Sequence, residues 1–564
     1  MRVRFILLTL LIILSTEVFP QTTTANYVMK TTMTGGNTAM VEIGYLDGLG
    51  RKSQTVMKGY TPGGNDMVVL QEYDSDGRPT DKWLPTPMTA STGEQQTVSY
   101  IKSRARSVTG DYSPYSTIIC EDSPLNRVKQ QYLPGNAWRS ASRRVVTDYT
   151  TNTSSNNCRR FTVTITGTLG VSGCYQPGEL DVTEVQDEDM NTSYVFKDVF
   201  GHEVLHRSIL GGSNVDTYFV YDDLGNLRYV LPPSACNALP ASGTFFQDSN
   251  DALRDYAYYY EYDTRNRCVK EKLPGCENVI MRYDHADRVV FSQDGLQRSG
   301  NLWTFYLYDR FGRPAVKGIH HGATVPNTDN ISVLADYTGN GPYGGYACNL
   351  TLDTGNLLEI RYYDTYEFCS QNTHLGYVQS SYGERYENGS ASAKGLLTGR
   401  RIYRSSTGAY TDYVTEACYY DMYGQLIQTH ATNHLGGYDH NYCEFSLTGK
   451  PLGARHEHSA TAQTAHTETL TYTYDHGDRL VTVTHQTDQG TPVTIVSNAY
   501  DELGRLTANA RNGNTSLLTS NTYNVRSWLT GISNPLFSES LWYNESHEGN
   551  TPLWGGNICL RRQR

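Results

Sequence analysis

The chain runs to 564 residues, with 44 Tyr and 51 Gly against only 14 Phe, a net charge of −11 and a pI near 5.8. Its acidity excludes a protein that grips nucleic acid through a broad basic surface. The abundance of Tyr, Gly, Thr and Asn over helix formers points to an all-β protein whose length is built from repeats.

In chain order, Arg2 and Arg4 come first, followed by an apolar run from Phe5 to Leu14. Those ten residues would span about 15 Å as helix, half of a hydrocarbon core of ~30 Å. Residues 1–20 therefore read as a signal peptide rather than an anchor, removed near Gln21, which sends the chain to the cell surface or the medium. No later stretch is apolar enough to cross a bilayer as a helix.

Residues 21–193 read as an N-terminal β module. A strand over Ala39–Tyr45 leads into Leu46-Asp47-Gly-Leu-Gly50-Arg51. A second turn follows at Tyr73-Asp74-Ser-Asp-Gly77-Arg78, and Trp83-Leu-Pro85 and Tyr132-Leu-Pro-Gly135 mark others. Phe161–Ile165 alternates as a strand, with Thr162 and Thr164 on one side and Val163 and Ile165 on the other.

Residues 194–530 read as a repeat array. The unit stands clearest at Tyr221-Asp222-Asp-Leu-Gly225-Asn226, Tyr308-Asp309-Arg-Phe-Gly312-Arg313 and Tyr500-Asp501-Glu-Leu-Gly504-Arg505, with looser copies from Tyr262, Tyr283, Tyr420 and Tyr474. Its Asp suits the first position of a type I turn, and the residue three later must then be left-handed to close a bulged hairpin. Counting three on from each Asp gives Gly50, Gly77, Gly225, Asn266, Asp287, Gly312, Gly424, Asp478 and Gly504. Only Gly, Asn and Asp occur, the residues that tolerate positive φ. Strand-forming flanks such as Leu470–Tyr474 and Leu480–Thr484 complete a hairpin array. Tyr363-Asp364 is a degenerate copy, and little helix is expected beyond a turn or two at Asn250–Tyr256.

Repeated Tyr-Asp-x-x-Gly-Arg, with leads such as Arg282-Tyr283-Asp284, resembles the bacterial Rhs, or YD-repeat, proteins. The resemblance covers Tyr194 to Leu529, and the first region looks like the uncharacterised domain that opens many exported Rhs-type proteins. It implies a curved or spiral β-ribbon forming an Rhs-type shell segment, which in polymorphic toxins encloses a toxin and in animal relatives serves adhesion. A complete shell of this kind ends in a self-cleaving core beside Asp-Pro motifs. This chain has no Asp-Pro dipeptide, and residues 531–564 resemble a truncated approach to such a core. The expectation is an exported, non-enzymatic shell or scaffold segment, truncated or split from a toxin or cell-surface system. Its partner would be a separately encoded core or toxin chain. The alternative is a complete surface adhesin or carbohydrate-binding protein that contacts cell-surface glycans.

The search for chemistry returns no catalytic, cofactor or metal residues. His456 and His458 share a strand face but lack a third ligand, His320-His321 and the pair His430 and His434 are loop or surface candidates, and zinc needs three or four protein ligands. Asp74-Ser-Asp76 and Asp187-Glu-Asp189 lack the length of a calcium loop. There is no Gly-x-Ser-x-Gly elbow, Walker loop or dinucleotide fingerprint. The repeated Asp, Tyr and Arg instead read as structural parts, each Asp bonding its own turn and each Arg paired with Asp or stacked on Tyr. Of eleven Cys, Cys158 with Cys174 and Cys268 with Cys276 are placed to bridge hairpins.

Overall fold

The computed structural model describes residues 25–564 except 36–37, 371, 384–392 and 407–408. The expected signal peptide, residues 1–20, lies outside the described residues. Thirty-four of the described strands form one antiparallel sheet. Its order follows the chain almost throughout, because each strand turns back to pair with the next. The ladder starts at Tyr27–Gly35 and ends at Leu560–Gln563, and these two end strands do not pair with each other. The fold is therefore all-β, an open hairpin ribbon whose contacts are mainly between neighbours. The expected module boundary between residues 193 and 194 falls within the strand Thr192–Lys197, which pairs with Asp181–Gln186 and Glu203–Leu210. The ladder runs across it unbroken.

Cross-strand partners share a face, so register shows what lies on each side of the ribbon. One row runs Phe196, Leu205, Tyr218, Leu231. Another runs Tyr362, Gly399, Ala417, His430, His440. Both belong to one face, which is covered by the longer connections. Residues 152–180 and 232–257 cover the first row, with Cys158, Leu169, Ala235 and Leu253 in its core. Residues 325–356, 365–370 and 372–377 cover the second, supplying Val333, Tyr346, Phe368 and Leu375. Further along the ladder the same face turns to Thr and Gln, as in Arg455, Thr469, Gln486, and no long connection covers it. Burying large apolar side chains on this one face, at about 1.5–3 kcal/mol each, is the main term holding the ribbon.

Three local expectations are corrected. A twelve-residue helix occupies Val98–Thr109. Its Ile101 and Ala105 pack on the first strands, and Gly110 ends it at φ 66. Phe161–Ile165 does not continue as a strand: the strand is Arg159–Val163, and Thr164 begins a tight turn that leaves Ile165 91% exposed. All eleven cysteines are free. Cys174 pairs in register with Arg159, while Tyr175 binds the Cys158 carbonyl. The two thiols thus sit on successive positions and point to opposite faces. Cys268 lies at the far end of its strand from the turn holding Cys276. Asp251–Tyr256 forms the short expected helix, capped by the Asn250 side chain at 3.1 Å from the Leu253 amide.

Candidate functional site

The recurrent turn has one geometry, seen at Asp501. The Asp501 carbonyl accepts the Gly504 amide at 2.8 Å, and the Asp501 amide donates to the Arg505 carbonyl at 3.0 Å. One carboxylate oxygen accepts the amides of Leu503 and Arg505, at 3.0 and 2.9 Å, and the other accepts Arg505 Nε at 2.7 Å. Asp74 repeats this with Asp76, Arg78 and Arg78 Nε at 3.0, 2.8 and 2.7 Å. Asp309 repeats it with Phe311, Arg313 and Arg313 Nε at 2.8, 2.9 and 2.6 Å. At Asp222 the last residue is Asn226, which donates its amide at 2.9 Å; Arg228 supplies the charge at 3.5 Å. The hydrogen bond from the Arg78 side chain holds the Asp74 carboxyl below its usual range.

The left-handed residue follows from this geometry. φ is 77° at Gly50, 83° at Gly77, 80° at Gly225, 58° at Asn266 and 59° at Asp287. It is 78° at Gly312 and Gly424, 62° at Asp478 and 80° at Gly504. A β-branched residue would be strained at each of these positions.

The tips also bind one another. Tyrosine hydroxyls reach back to the carbonyl just past the preceding tip: Tyr73 to Lys52 at 3.0 Å, Tyr308 to Val289 at 2.7 Å, Tyr500 to Leu480 at 2.7 Å. The preceding guanidinium lies over the ring, at 4.3 Å for Arg51 on Tyr73, 4.8 Å for Arg288 on Tyr308 and 5.1 Å for Arg505 on Tyr523. Burial pushes the Tyr308 phenol up, so it stays a neutral donor. Tyr221 instead stacks on His202 at 4.6 Å, because His202 stands where other tips carry Arg. Arg also reaches the next tip: Arg78 to the Glu121 carbonyl and Arg505 to the Asn524 carbonyl, each at 3.1 Å. The degenerate copy takes part as well, with Asp364 accepting Arg313 Nη2 at 2.5 Å and Tyr363 donating to the Pro314 carbonyl at 3.0 Å. Asp, Arg and Tyr thus form a ladder of hydrogen bonds and cation–π contacts along one edge of the ribbon.

Further turns, on both edges of the ribbon and in the 152–180 connection, use the same bonds without Tyr-Asp, among them Thr164–Gly167, Asp187–Met190, Asp198–Gly201, Asn433–Gly436, Ser446–Gly449 and Asn524–Ser527. In each, the side-chain oxygen of Thr164, Asp187, Asp198, Asn433, Ser446 or Asn524 accepts the amide four residues on. The signal that would find them is any short side-chain acceptor followed three residues later by a residue at positive φ, between two strands.

The ribbon returns on itself. His476 Nε2 lies 2.6 Å from the Thr61 carbonyl, 415 residues away in sequence, and Arg479 Nη1 donates to the Tyr60 carbonyl at 2.8 Å. Arg526 is buried against the first region. It donates to the Pro134 carbonyl at 2.7 Å and to both oxygens of Glu188 at 2.9 and 2.8 Å. Its guanidinium lies 3.8 Å from the centre of the Trp138 ring. Trp528 and Trp554 meet the same ring edge-on at 5.6 and 5.8 Å, and Trp138 Nε1 donates to the Trp554 carbonyl at 2.9 Å. Asp189 accepts the amides of Trp554 and Gly555. Residues 60–61, 134 and 188–189 lie on the edge opposite the tips, whereas 476–479 and 524–528 lie on the tip edge. The late tips therefore meet the opposite edge of the early ribbon, so the ribbon winds as a spiral and not as a flat ring.

Other candidates are absorbed into structure. Asp76 pairs with Arg78 at 3.1 Å. His458 Nδ1 and His456 Nε2 lie 2.6 and 3.5 Å from one Asp439 oxygen. His320 and His321 both face Asp353, at 3.5 and 3.1 Å. His430 is buried in the sheet, whereas His434 sits exposed on a tip, so the two do not meet. Among the described residues no group of three or more His, Cys, Asp or Glu is arranged to hold a metal ion, and no helix is long and apolar enough to cross a membrane.

Residues 17–151 match a family described as Domain of unknown function (DUF6443). No curated protein matches this chain. Among solved structures it is similar to TcdB2-TccC3, with TM-score 0.40 and 12% identity over 95% of this chain and 26% of that one. TcdB2-TccC3 without its hypervariable C-terminal region gives TM-score 0.40 and 11% identity over 92% and 24%. The Tc holotoxin pore of Photorhabdus luminescens gives 0.39 and 11% over 95% and 25%. This chain thus spans about a quarter of the length of those chains.

Proposed function

We propose that this chain is a wall: an exported, non-enzymatic Rhs-type shell or scaffold segment of a toxin or cell-surface system, working by enclosing or contacting another polypeptide. The observation that carries the reading is the seam. A ribbon whose late tips lock onto its own early edge through a buried Arg526–Glu188 pair and three tryptophans has the build of a curved enclosure. The Asp, Tyr and Arg of the repeats are engaged in joining hairpins, which leaves them no role toward a substrate. The export reading rests on Arg2, Arg4 and the apolar run behind them.

The partner reading has its own support. Early tips keep large apolar side chains exposed, Leu49 at 78%, Phe200 at 82%, Leu224 at 72% and Phe311 at 79%. The seam supports this reading by analogy, since there late tips meet the loop edge of another stretch of β-ribbon. Co-expression with the polypeptides encoded beside it, followed by protease challenge of the purified complex, tests the reading. A neighbour-encoded chain protected only in the presence of the wall supports enclosure. Equal digestion with and without the wall overturns it.

A further inference from the structure

Residues 366–370 and 372–382 form a strap laid over the buried face of the sheet, containing the short turns Glu367–Cys369 and Thr373–Leu375. Phe368 stacks on Tyr362 at 4.2 Å with planes 6° apart. It fits there because Gly399 lies beneath, where a Cβ would stand 2.2 Å from the ring. The rest of the strap is held by side chains rising from the sheet to its backbone carbonyls. Tyr419 donates to Leu375 at 2.5 Å, and Gln428 donates to Val378 at 2.9 Å. Nδ1 of His430 donates to the Gly376 carbonyl at 2.6 Å, and Nε2 of His440 to the His374 carbonyl at 2.8 Å.

The two histidines are direct cross-strand partners, and their rings stack 4.0 Å apart at 19°. His430 is fully buried and His440 is 8% exposed. Each makes its strap bond with a single N–H, so the neutral imidazole satisfies the geometry. A second proton on His430 would fall on Nε2, which is buried and has no hydrogen-bond partner. Two imidazolium rings at this separation would also repel.

The surroundings offer little to offset such charge. From the strand before, Tyr419 faces His430; from the strand after, Tyr438 and Tyr442 flank the pair. From the strap, His374 stacks on Tyr438. Glu457 is next to His440 in the row, but it already accepts Tyr438 Oη at 2.8 Å and Arg455 at 3.0 Å. Asp439 lies on the reverse face, engaged by His456 and His458. Burial pushes His430 down to about 4 and lowers His440 as well.

We propose that the strap is an acid-released cover: protonation of the stacked His430–His440 pair detaches the strap at His374–Val378 and opens the face beneath, while the hairpin ladder stays formed. The proposal concerns this cover and does not depend on what the wall encloses. The sign follows from burial. Both rings are neutral in the closed form and take up protons more readily once the strap lifts and water enters, so acid favours the open form.

Hydrogen exchange read by mass spectrometry on the full chain between pH 7.5 and 4.5, corrected for intrinsic rates, tests it. Peptides over 366–382 are expected to lose protection by about tenfold or more below pH 6, and to regain it on return to pH 7.5. Peptides over 302–321 and 480–511 are expected to hold. Constant strap protection, or loss together with the ladder, overturns the proposal. In the double variant His430→Asn/His440→Gln, whose amides place a donor near the positions of Nδ1 of His430 and Nε2 of His440, strap protection should become independent of pH. An unchanged pH profile in that variant also overturns it, and if the variant does not fold the wild-type profile decides.

Discussion

The seam makes the sharpest prediction. Arg526 and Glu188 each leave only 4% of their side chains exposed and share two charge-assisted hydrogen bonds. Removing one partner leaves the other charge buried without compensation, which costs about 3–5 kcal/mol. Glu188→Ala strands a guanidinium between Trp138 and Trp528, and Arg526→Ala strands a carboxylate and opens a gap beside Trp138. Each single variant should therefore open the seam. The double variant Glu188→Leu/Arg526→Met should recover most of the loss, because a buried ion pair replaced by apolar groups of similar size is often neutral or better. Hydrogen exchange at residues 131–138 and 523–528 reads this locally. Protection there should fall in both single variants, return in the double variant and stay constant at the Asp309 tip throughout. Singles that keep full seam protection, or a double variant as damaged as the sum of its singles, would refute the reasoning.

The remaining predictions concern tips and acid. Gly312 sits at φ 78° with open space where a Cβ would be, so Gly312→Ala isolates the backbone effect. It should destabilise by about 1–2 kcal/mol, and Ala462→Gly, at φ 61°, should stabilise by up to about as much; thermal unfolding checks both. Asp309→Ala removes three acceptor bonds from a mostly buried carboxylate and should cost about 2–3 kcal/mol in urea unfolding. Tyr308→Phe removes the bond to the Val289 carbonyl and should cost about 1 kcal/mol by the same measurement. His430 titrates near 6.5 when unfolded and near 4 in place. Its contribution is complete above pH 6.5 and declines toward pH 4 by up to about 3 kcal/mol. The melting temperature should fall across that window, and less in His430→Asn.

The all-β hairpin array was legible because one backbone requirement recurs. A side-chain acceptor that takes the amides two and four residues on forces a left-handed residue at the third position, and Gly, Asn or Asp marks it. Turns where Ser446, Asn433 or Asn524 replaces Asp were harder to see, since the turn needs only an oxygen and not a particular residue. Met190 and Ser527 hide it further, holding φ at 70° and 60° with unfavoured side chains. The helix Val98–Thr109 went unread because only Ile101 and Ala105 are buried, too few to print a periodic pattern. The seam was invisible in sequence. Arg526 stands two residues after Asn524, as the exposed Arg265 stands two after Asp263, so its local position does not mark it for burial; its role comes from Glu188 and Trp138, brought beside it only by the curvature accumulated over the ribbon. The stacked histidines were likewise ten residues apart on separate strands, and only register placed them in one row.

Electron cryo-microscopy of the purified chain tests the central claim most directly. The account predicts a curved ribbon in which the loop at 59–66 lies against the tip at 475–479, and density for Trp138, Trp528 and Trp554 closes around Arg526. An extended or flat sheet with those two edges apart would contradict it.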